Sequence, residues 1–443
     1  MRRGPIDRGA ARALGPDHGH EPDRAPPAEG GSGPEPTDAP WREALAALRV
    51  PAFAWYWGAQ LVSNIGTWSQ TIAQAWLVLD LTHSAVALGT ITMLQFLPVL
   101  ALALAGGVVA DRVPRRQLLV VTQVALTLQA VALAVLVLTH AVTIVEVAAL
   151  ALLLGITNAL NNPAQQAFIW ELVGRDLVAN AVALNSVQFN TARMVGGAVG
   201  GLAIAAWGVA GALFVNAGSF LPIIFVLVAL RQRHRDARHA TAQLSAYREL
   251  REGLAYAWST VPVRRVIFLF AVVGLLGFNW QVAVPLLARF VLHRSATGFG
   301  VLMASLGAGS LLAALALARG RGASEHRLVA GSLALGVVLV ALGLSRWYVV
   351  SLALLFLGGV AGIVASITTN TRLQLLVPDH LRGRVMGIYV LLMGGTTPIG
   401  ALLLGEIAGH LGVEVALVSF GAATLAGIGA IALHRQRARS MVA

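Results

Sequence analysis

The chain has 443 residues, of which 57% are hydrophobic and 12% charged, and its mean hydropathy is +0.74. Soluble domains carry about 25% charged residues, so this composition predicts an integral membrane protein. The absence of cysteine excludes disulfides and Cys-based metal sites. All 32 basic residues are arginine; a Walker-type phosphate loop requires lysine, so the chain is not an ATP-driven pump of that kind.

The net charge of +12 would suggest nucleic acid binding in a soluble protein. Here the arginines flank apolar segments, as membrane orientation requires. We therefore expect the lipid bilayer, and no nucleic acid, as the macromolecular partner.

The first 40 residues are rich in Pro, Gly and charged residues, which predicts a disordered tail. A short amphipathic surface helix is predicted over residues 41–50. Twelve apolar spans follow, each long enough to cross a bilayer as a helix. In chain order, spans 1 to 12 are predicted at residues 53–79, 84–109, 116–138, 142–168, 179–206, 210–230, 263–288, 297–318, 326–345, 347–369, 381–406 and 411–433.

A polar, basic segment divides these spans six and six. We predict an all-α integral membrane protein of two pseudo-symmetric six-helix bundles. The predicted domains are a tail (1–40), a first bundle (41–230), a cytosolic loop (231–262), a second bundle (263–434) and a basic cytosolic tail (435–443).

The arginines predict the orientation. With a cytosolic N-terminus, all but four of the 32 fall on the cytosolic side. Arg289, Arg294 and Arg346 fall outside, and Arg193 falls within span 5. We therefore expect a multi-pass protein of the cytoplasmic membrane with both termini in the cytosol.

The two halves resemble each other. The sequences LVGRDL at 172–177 and LVPDHL at 376–381 are offset by 204 residues, and both join the fourth and fifth spans of their half. Weak internal symmetry of this kind is typical of a duplicated transporter, with its substrate site between the halves near the midplane.

The turn between spans 2 and 3, residues 107–116, reads GVVADRVPRR. This charge cluster cannot lie in hydrocarbon, so it must lie at the membrane surface. Asp111 falls close to the start of span 3, where the helix dipole favours an anion. The neighbouring arginines can pair with it and with carbonyl ends of adjacent helices.

Twelve spans, the six-plus-six division and this turn together resemble the major facilitator superfamily. The turn matches the family's loop motif at Gly107, Asp111, Arg112, Arg115 and Arg116, with Pro114 where the family usually has Gly. The resemblance implies a latch that holds the cytosolic ends of the two halves together. The alternative is a charge cluster that only orients the chain in the membrane.

Further segments resemble the drug-efflux branch that includes the enterobactin exporter and macrolide efflux proteins. One is NALNNPAQQA at 158–167; another is the antiporter-like motif of span 5, where Gly197 replaces a Pro. The motif glycines are Gly196, Gly197, Gly200 and Gly201. This resemblance implies proton-coupled efflux of small molecules by alternating access, without a cofactor and as a monomer.

Polar residues inside the spans are the candidates for the substrate cavity, because such residues avoid lipid. Five of them share one face of span 1: Gln60, Asn64, Thr67, Thr71 and Gln74. Their uncharged character favours a neutral or amphipathic substrate. Hydrogen bonding between helices is the alternative role.

Arg193 lies near the bilayer centre and must face a water-filled cavity or a partner. It is a candidate for substrate binding or coupling; a structural ion pair or carbonyl cap is the alternative. The remaining cavity candidates are polar or aromatic residues of spans 4 and 7: Asn158, Asn162, Gln165, Asn279 and Trp280.

Two other functions stay open. The chain could be a solute uptake symporter, or a non-transporting sensor or scaffold whose basic segments recruit partners. We expect no enzyme activity, because the sequence shows no paired catalytic carboxylates, nucleophile–base cluster or metal spacing.

Overall fold

A computed structural model describes residues 45–230, 243–319 and 324–440. The predicted N-terminal tail and the last residues of the C-terminal tail lie outside these ranges. At residues 41–50, where a helix was expected, the described part is a single 3-10 turn, Ala46–Arg49. This turn is anchored to the bundle, since the Ala47 N–H donates to Asn180 Oδ1 at 2.9 Å.

The described helices follow the twelve predicted spans, and we keep the span numbers. Their bounds are Pro51–Thr82 (span 1), Ala85–Ala101 with Ala103–Arg112 (span 2), Arg115–Leu138 (span 3), 144–173 (span 4), 175–207 (span 5), 209–229 (span 6), Val261–Val291 (span 7), Ala296–Arg319 (span 8), Glu325–Leu344 (span 9), Tyr348–Leu376 (span 10), Asp379–Leu411 (span 11) and Val413–Ser440 (span 12).

By length and composition, eight helices of the described residues could cross a membrane. One of them, Ile144–Ala229, contains spans 4 to 6 and is interrupted only at Gly174 and Gly208. Both glycines have positive φ (73° and 69°), a conformation that glycine adopts without a Cβ penalty. The link between spans 4 and 5 is therefore helical except at Gly174. The prediction that these spans end at 168 and begin again at 179 is wrong, because the helices extend into that interval.

Span 7 is also less regular than expected. A π-helical segment, Val273–Gly277, precedes a break at Asn279, and a second one, Leu287–Val291, ends the span. The predicted central loop contains a separate helix, Gln243–Ser259. The domain boundaries remain predictions.

Because the spans alternate in direction, the bundle has two ends. We call the end that holds the start of span 1 and the span 2–3 turn the terminal face, and the opposite end the distal face. Three of the turns at the distal face contain a histidine with positive φ, close to the end of the preceding helix: His83, His140 and His293. His83 and His293 occupy equivalent turns of the two halves, which agrees with the duplication.

The buried core is shared between the halves at one end only. The largest apolar cluster contains residues of both halves, and its first-half members all come from distal parts of their spans, for example 72–79 and 85–91. At the terminal end, Phe53, Leu119 and Leu227 belong to a separate cluster made of first-half residues alone. Among the described residues, the halves thus share their core towards the distal face.

Candidate functional site

Span 5 packs against span 8 through the antiporter-like motif. A Cβ atom on Gly197 would lie 3.2 Å from the Gly300 carbonyl oxygen, and one on Gly300 would lie 2.5 Å from the Gly197 carbonyl oxygen. One turn further, the Thr297 hydroxyl donates to the Gly201 carbonyl at 3.3 Å. Small residues allow such backbone-to-backbone contact between membrane helices. This contact joins the two halves.

The other two motif glycines face span 1. A Cβ atom on Gly196 would lie 2.6 Å from the Ile65 carbonyl oxygen, and one on Gly200 would lie 2.9 Å from Ser69 Cα. The motif therefore packs on two faces of span 5, one against its own half and one across the interface.

Spans 2 and 11 form a second contact between the halves. A Cβ atom on Gly405 would lie 2.8 Å from the Ala85 carbonyl oxygen, and one on Gly89 would lie 2.7 Å from the Ala401 carbonyl oxygen. Both glycines lie in the distal parts of their spans. The halves are thus joined by two glycine junctions, span 5 with span 8 and span 2 with span 11, towards the distal face.

An ion pair also crosses between the halves at the distal face. Asp80, at the end of span 1, bonds Arg289 of span 7 with 2.8 Å between Oδ1 and Nη1. The Arg289 guanidinium carbon also lies 4.9 Å from the centre of the Trp76 ring, which stacks on Phe299 of span 8. Asp80 is thus a partly exposed link between the halves.

A small polar cavity lies between spans 1, 2 and 7. Its volume is about 20 Å³, which is room for about one water molecule. Thr71 and Gln74 of the predicted stripe line it together with Gln95 and with Gln281 of the second half. Gln74 Nε2 donates to Gln95 Oε1 at 3.3 Å. Gln95 and Gln281 were not predicted, although both are amides inside apolar spans.

The terminal part of the stripe has other partners. Gln60 Nε2 donates to Asn64 Oδ1 at 3.1 Å, and Asn64 Nδ2 donates to Gln188 Oε1 of span 5 at 3.4 Å. Gln60 Oε1 is buried without a hydrogen-bond partner. Thr67 is exposed and donates back to the Ser63 carbonyl. This part of the stripe links helices within the first half, as the alternative role proposed, while a role towards substrate stays a prediction.

A neighbouring amide network was not predicted. Gln70 Nε2 donates to Gln129 Oε1 at 3.0 Å, and Asn216 Nδ2 donates to Gln70 Oε1. All three side chains are buried, and they connect spans 1, 3 and 6. Gln70 lies outside the stripe spacing, so the stripe pattern could not identify it.

The span 4 candidates differ in exposure. Asn158 and Gln165 are half-buried and Asn162 is exposed, whereas their neighbour Asn161 is buried and accepts a 3.0 Å hydrogen bond from Thr122. Asn161 is thus a link between spans 3 and 4. The roles of the other three remain predictions.

The span 7 candidates are held by close packing. Asn279 Nδ2 donates to the Leu275 carbonyl at 2.6 Å, where the helix is broken. A Cβ atom on Gly400 of span 11 would lie 2.5 Å from the same Nδ2. Trp280 is buried, and a Cβ atom on Gly358 would lie 3.1 Å from its ring. These contacts stabilise the second half, and a substrate contact for either residue remains a prediction.

Arg193 has few contacts. Its Nη2 donates to Asn190 Oδ1 at 3.0 Å, and its guanidinium carbon lies 5.9 Å from the Trp68 ring centre. Its Nε is buried without a hydrogen-bond partner. Arg193 lies one turn from Gly196 and Gly197 on span 5, towards the terminal face.

In the span 2–3 turn, the arginines bind within the first half. Arg115 Nη1 lies 2.7 Å from Glu171 Oε1 at the end of span 4. Arg116 donates from Nε to the Leu227 carbonyl and from Nη2 to the Val228 carbonyl, so it caps span 6. Arg112 is exposed, and the side chain of Asp111 lies outside the described part. Gly107 has open space where a Cβ would lie. The latch role therefore stays a prediction.

A bundle of two six-span halves, joined through an apolar core and two glycine junctions, is the fold of the major facilitator superfamily. A model of the family described as transmembrane secretion effector matches residues 42–443. The match covers far more than half of the chain, and the chain belongs to this family.

Curated relatives agree with this class. Over 394 residues the chain is 28% identical to the multidrug efflux pump Tap of Mycolicibacterium fortuitum, covering 86% of this chain and 95% of that protein. It is 23% identical over 376 residues to the staphyloferrin A transporter of Staphylococcus aureus, covering 84% and 93%.

Solved structures share the fold. A POT family transporter in complex with a thioalcohol-conjugated peptide gives a TM-score of 0.70 at 11% identity, covering 87% of this chain and 96% of that one. The nucleoside transporter NupG gives 0.66 at 11% identity, covering 86% and 98%. The expected fold class is thus confirmed, and the chain is a multi-pass membrane transporter.

Proposed function

We propose that the chain exports small amphipathic molecules from the cytosol, driven by the proton gradient and operating by alternating access. The one-sided junction between the halves supports this proposal: core and glycine contacts cross between the halves towards the distal face. Two rigid halves that meet at one end can rock about a central site.

The arginine distribution supports a cytosolic terminal face. With that orientation, the structure corresponds to an inward-facing conformation, closed at the outer surface by the two glycine junctions and by Asp80–Arg289. Opening to the outside requires both junctions to separate and the ion pair to break. The equivalent closure at the cytosolic surface would use the span 2–3 turn as the latch.

The similarity to a multidrug efflux pump and to a siderophore transporter supports export and a broad substrate class. Proton coupling is proposed from the resemblance to antiporters and from the glycine motif of span 5. We further propose that the protein works as a monomer, because each half already finds its partner within the chain.

The test is accumulation of a macrolide and of ethidium in a drug-sensitive strain, with and without a protonophore. Expression of the chain should lower accumulation of at least one compound, and the protonophore should restore it. Higher accumulation on expression would instead favour the uptake symporter. Unchanged accumulation of every compound in both conditions would count against efflux of this class and would favour the sensor or scaffold.

A further inference from the structure

Among the described residues, the guanidinium of Arg193 has no counter-ion. Five carboxylates near the ends of the spans are engaged elsewhere: Asp80 with Arg289, Glu146 with Thr143, Glu171 with Arg115, Glu406 with His410 and Glu414 with Arg346. Within the described residues, no carboxylate lies within ion-pair distance of Arg193. Its only polar side-chain contact there is the neutral amide of Asn190.

An unpaired cation inside a membrane span is costly, and such groups are normally paired or functional. The Nε donor of Arg193 is both buried and unpartnered. A buried donor without an acceptor loses its hydration and gains nothing in return. An acceptor from outside the chain would remove this cost.

The surroundings of Arg193 favour a ligand with an apolar body. Trp68 lies against the guanidinium and packs edge-on against Phe189, with ring centres 5.6 Å apart. One turn away, Gly196 and Gly197 hold span 5 against spans 1 and 8. Arg193 lies one turn from these glycines towards the terminal face, next to Met194, whose Cα would lie 2.6 Å from a Cβ on Gly307 of span 8.

We infer that Arg193 binds a carboxylate on the exported molecule, while Trp68 and Phe189 contact the aromatic or polycyclic body next to it. This inference rests on the proposed function and adds amphipathic acids to its substrate class. Guanidinium groups bind carboxylates through strong, charge-assisted hydrogen bonds. The aromatic pair supplies the stacking surface for the apolar part.

The inference is tested by equilibrium binding of two matched probes to the purified protein. Dansylglycine carries a carboxylate, and dansylglycinamide has the same body without the charge; dansyl fluorescence rises in an apolar site. The wild type should bind the acid about tenfold more tightly than the amide, as expected for one charge-assisted hydrogen bond. Arg193→Gln should abolish this preference, and Arg193→Lys should keep part of it.

A control variant is Arg294→Gln, because Arg294 also lies over an aromatic ring, that of Tyr348, but at the distal face. It should keep the full preference for the acid. Thermal melting of every variant separates a binding role from a structural one: Arg193→Gln should melt close to the wild type. If Arg193→Gln unfolds, the test rests on Arg193→Lys, which should bind the acid more tightly than the amide but with a smaller difference than the wild type.

Equal binding of acid and amide to the wild type would overturn the inference, as would an unchanged preference in Arg193→Gln or no binding of either probe. Failure of the proposed function is seen separately, in the accumulation assay with ethidium and a macrolide. A preference for the acid without any export would support the anion site and contradict the proposed efflux function.

Discussion

At the distal face, spans 5 and 8 and spans 2 and 11 touch backbone to backbone across the two halves. At the terminal face, two of the ion pairs, Arg115–Glu171 and Arg372–Glu325, each stay within one half. These two pairs occupy equivalent positions, at the start of the third and the end of the fourth span of each half, with the charges exchanged. At the terminal face these two ion pairs connect helices of the same half, whereas the glycine contacts towards the distal face connect the two halves.

Under the proposed alternating access, this difference separates two kinds of contact. The ion pairs within one half can persist in every conformation, because both partners move together. The distal contacts must separate if the proposed outer side is to open. Variants that affect one face and leave the other intact should therefore shift conformation, whereas variants of the contacts within a half should alter stability.

The largest effect is expected at the terminal face. Asp111→Asn should abolish export while the protein is made at near-normal level, because closing the cytosolic side is proposed to need this carboxylate. No Asp matches it in the corresponding turn of the second half, residues 319–327. The measurement is protonophore-sensitive macrolide efflux. Asp379→Asn, at an exposed carboxylate of the same face, is the control, and wild-type efflux by Asp111→Asn would disprove the latch.

The next effect is expected at the span 2–11 junction. Gly405→Leu adds a side chain at a position where even a Cβ atom would lie 2.9 Å from Gly89 Cα. Overpacking of this kind costs about 1–3 kcal/mol or more, which should open the distal face. Gly394→Leu lies on the same helix with open space around its Cβ position, so it should have little effect.

Opening is measured in a variant with one reporter cysteine, which the cysteine-free chain makes straightforward. Thr71→Cys places the thiol at the polar cavity between the halves. A membrane-impermeant maleimide added at the outer surface should label it faster in the Gly405→Leu background than in the Gly394→Leu background. Equal labelling rates would show that the junction does not close this face.

A smaller effect, measured on stability, is expected from Arg116→Gln. Hydrogen bonds to charged groups contribute about 1.5–3 kcal/mol, and Arg116 makes two of them to the carbonyl end of span 6. The variant should lower the melting temperature of the purified protein, whereas Arg112→Gln, at an exposed position, should not. A lower melting temperature only in Arg112→Gln would contradict this assignment.

The sequence was sufficient for the parts that depend on local pattern. Apolar length identified the spans, and the charge cluster identified the turn in which Arg116 caps a helix end. The motif of span 5 was also identified, with Gly196 and Gly197 next to each other on one helix. The residues that meet these glycines, Ile65 and Gly300, belong to separate spans, so their identity depends on tertiary packing.

The pairing of Asp80 with Arg289 could not be predicted for the same reason. The two residues belong to different halves, and each alone resembles an ordinary charged helix end at the membrane surface. Similarly, the spacing of Gln60 and Asn64 showed a shared face but not that Gln188 lies opposite it. Local periodicity predicts which side chains share one face of a helix, whereas the residues opposite that face depend on how the helices pack.

The smallest shift is expected from Asp80→Asn. The Asp80–Arg289 pair is partly exposed, with side chains 42% and 27% accessible, and exposed ion pairs contribute about 0.2–1 kcal/mol. Its loss should favour the outward-open state by at most about fivefold. Labelling of Cys at position 71 from the outer surface should therefore rise, by less than in Gly405→Leu.

A variant in which the two charges are exchanged distinguishes a specific ion pair from a general effect of charge at this surface. Asp80→Arg combined with Arg289→Asp should return labelling towards the wild-type rate, and each single change should raise it. The rise in Asp80→Asn should also shrink in high salt, because salt already weakens the exposed pair in the wild type. If the exchanged pair labels as fast as either single variant, Asp80 and Arg289 are independent charges, and the glycine junctions alone hold the distal face closed.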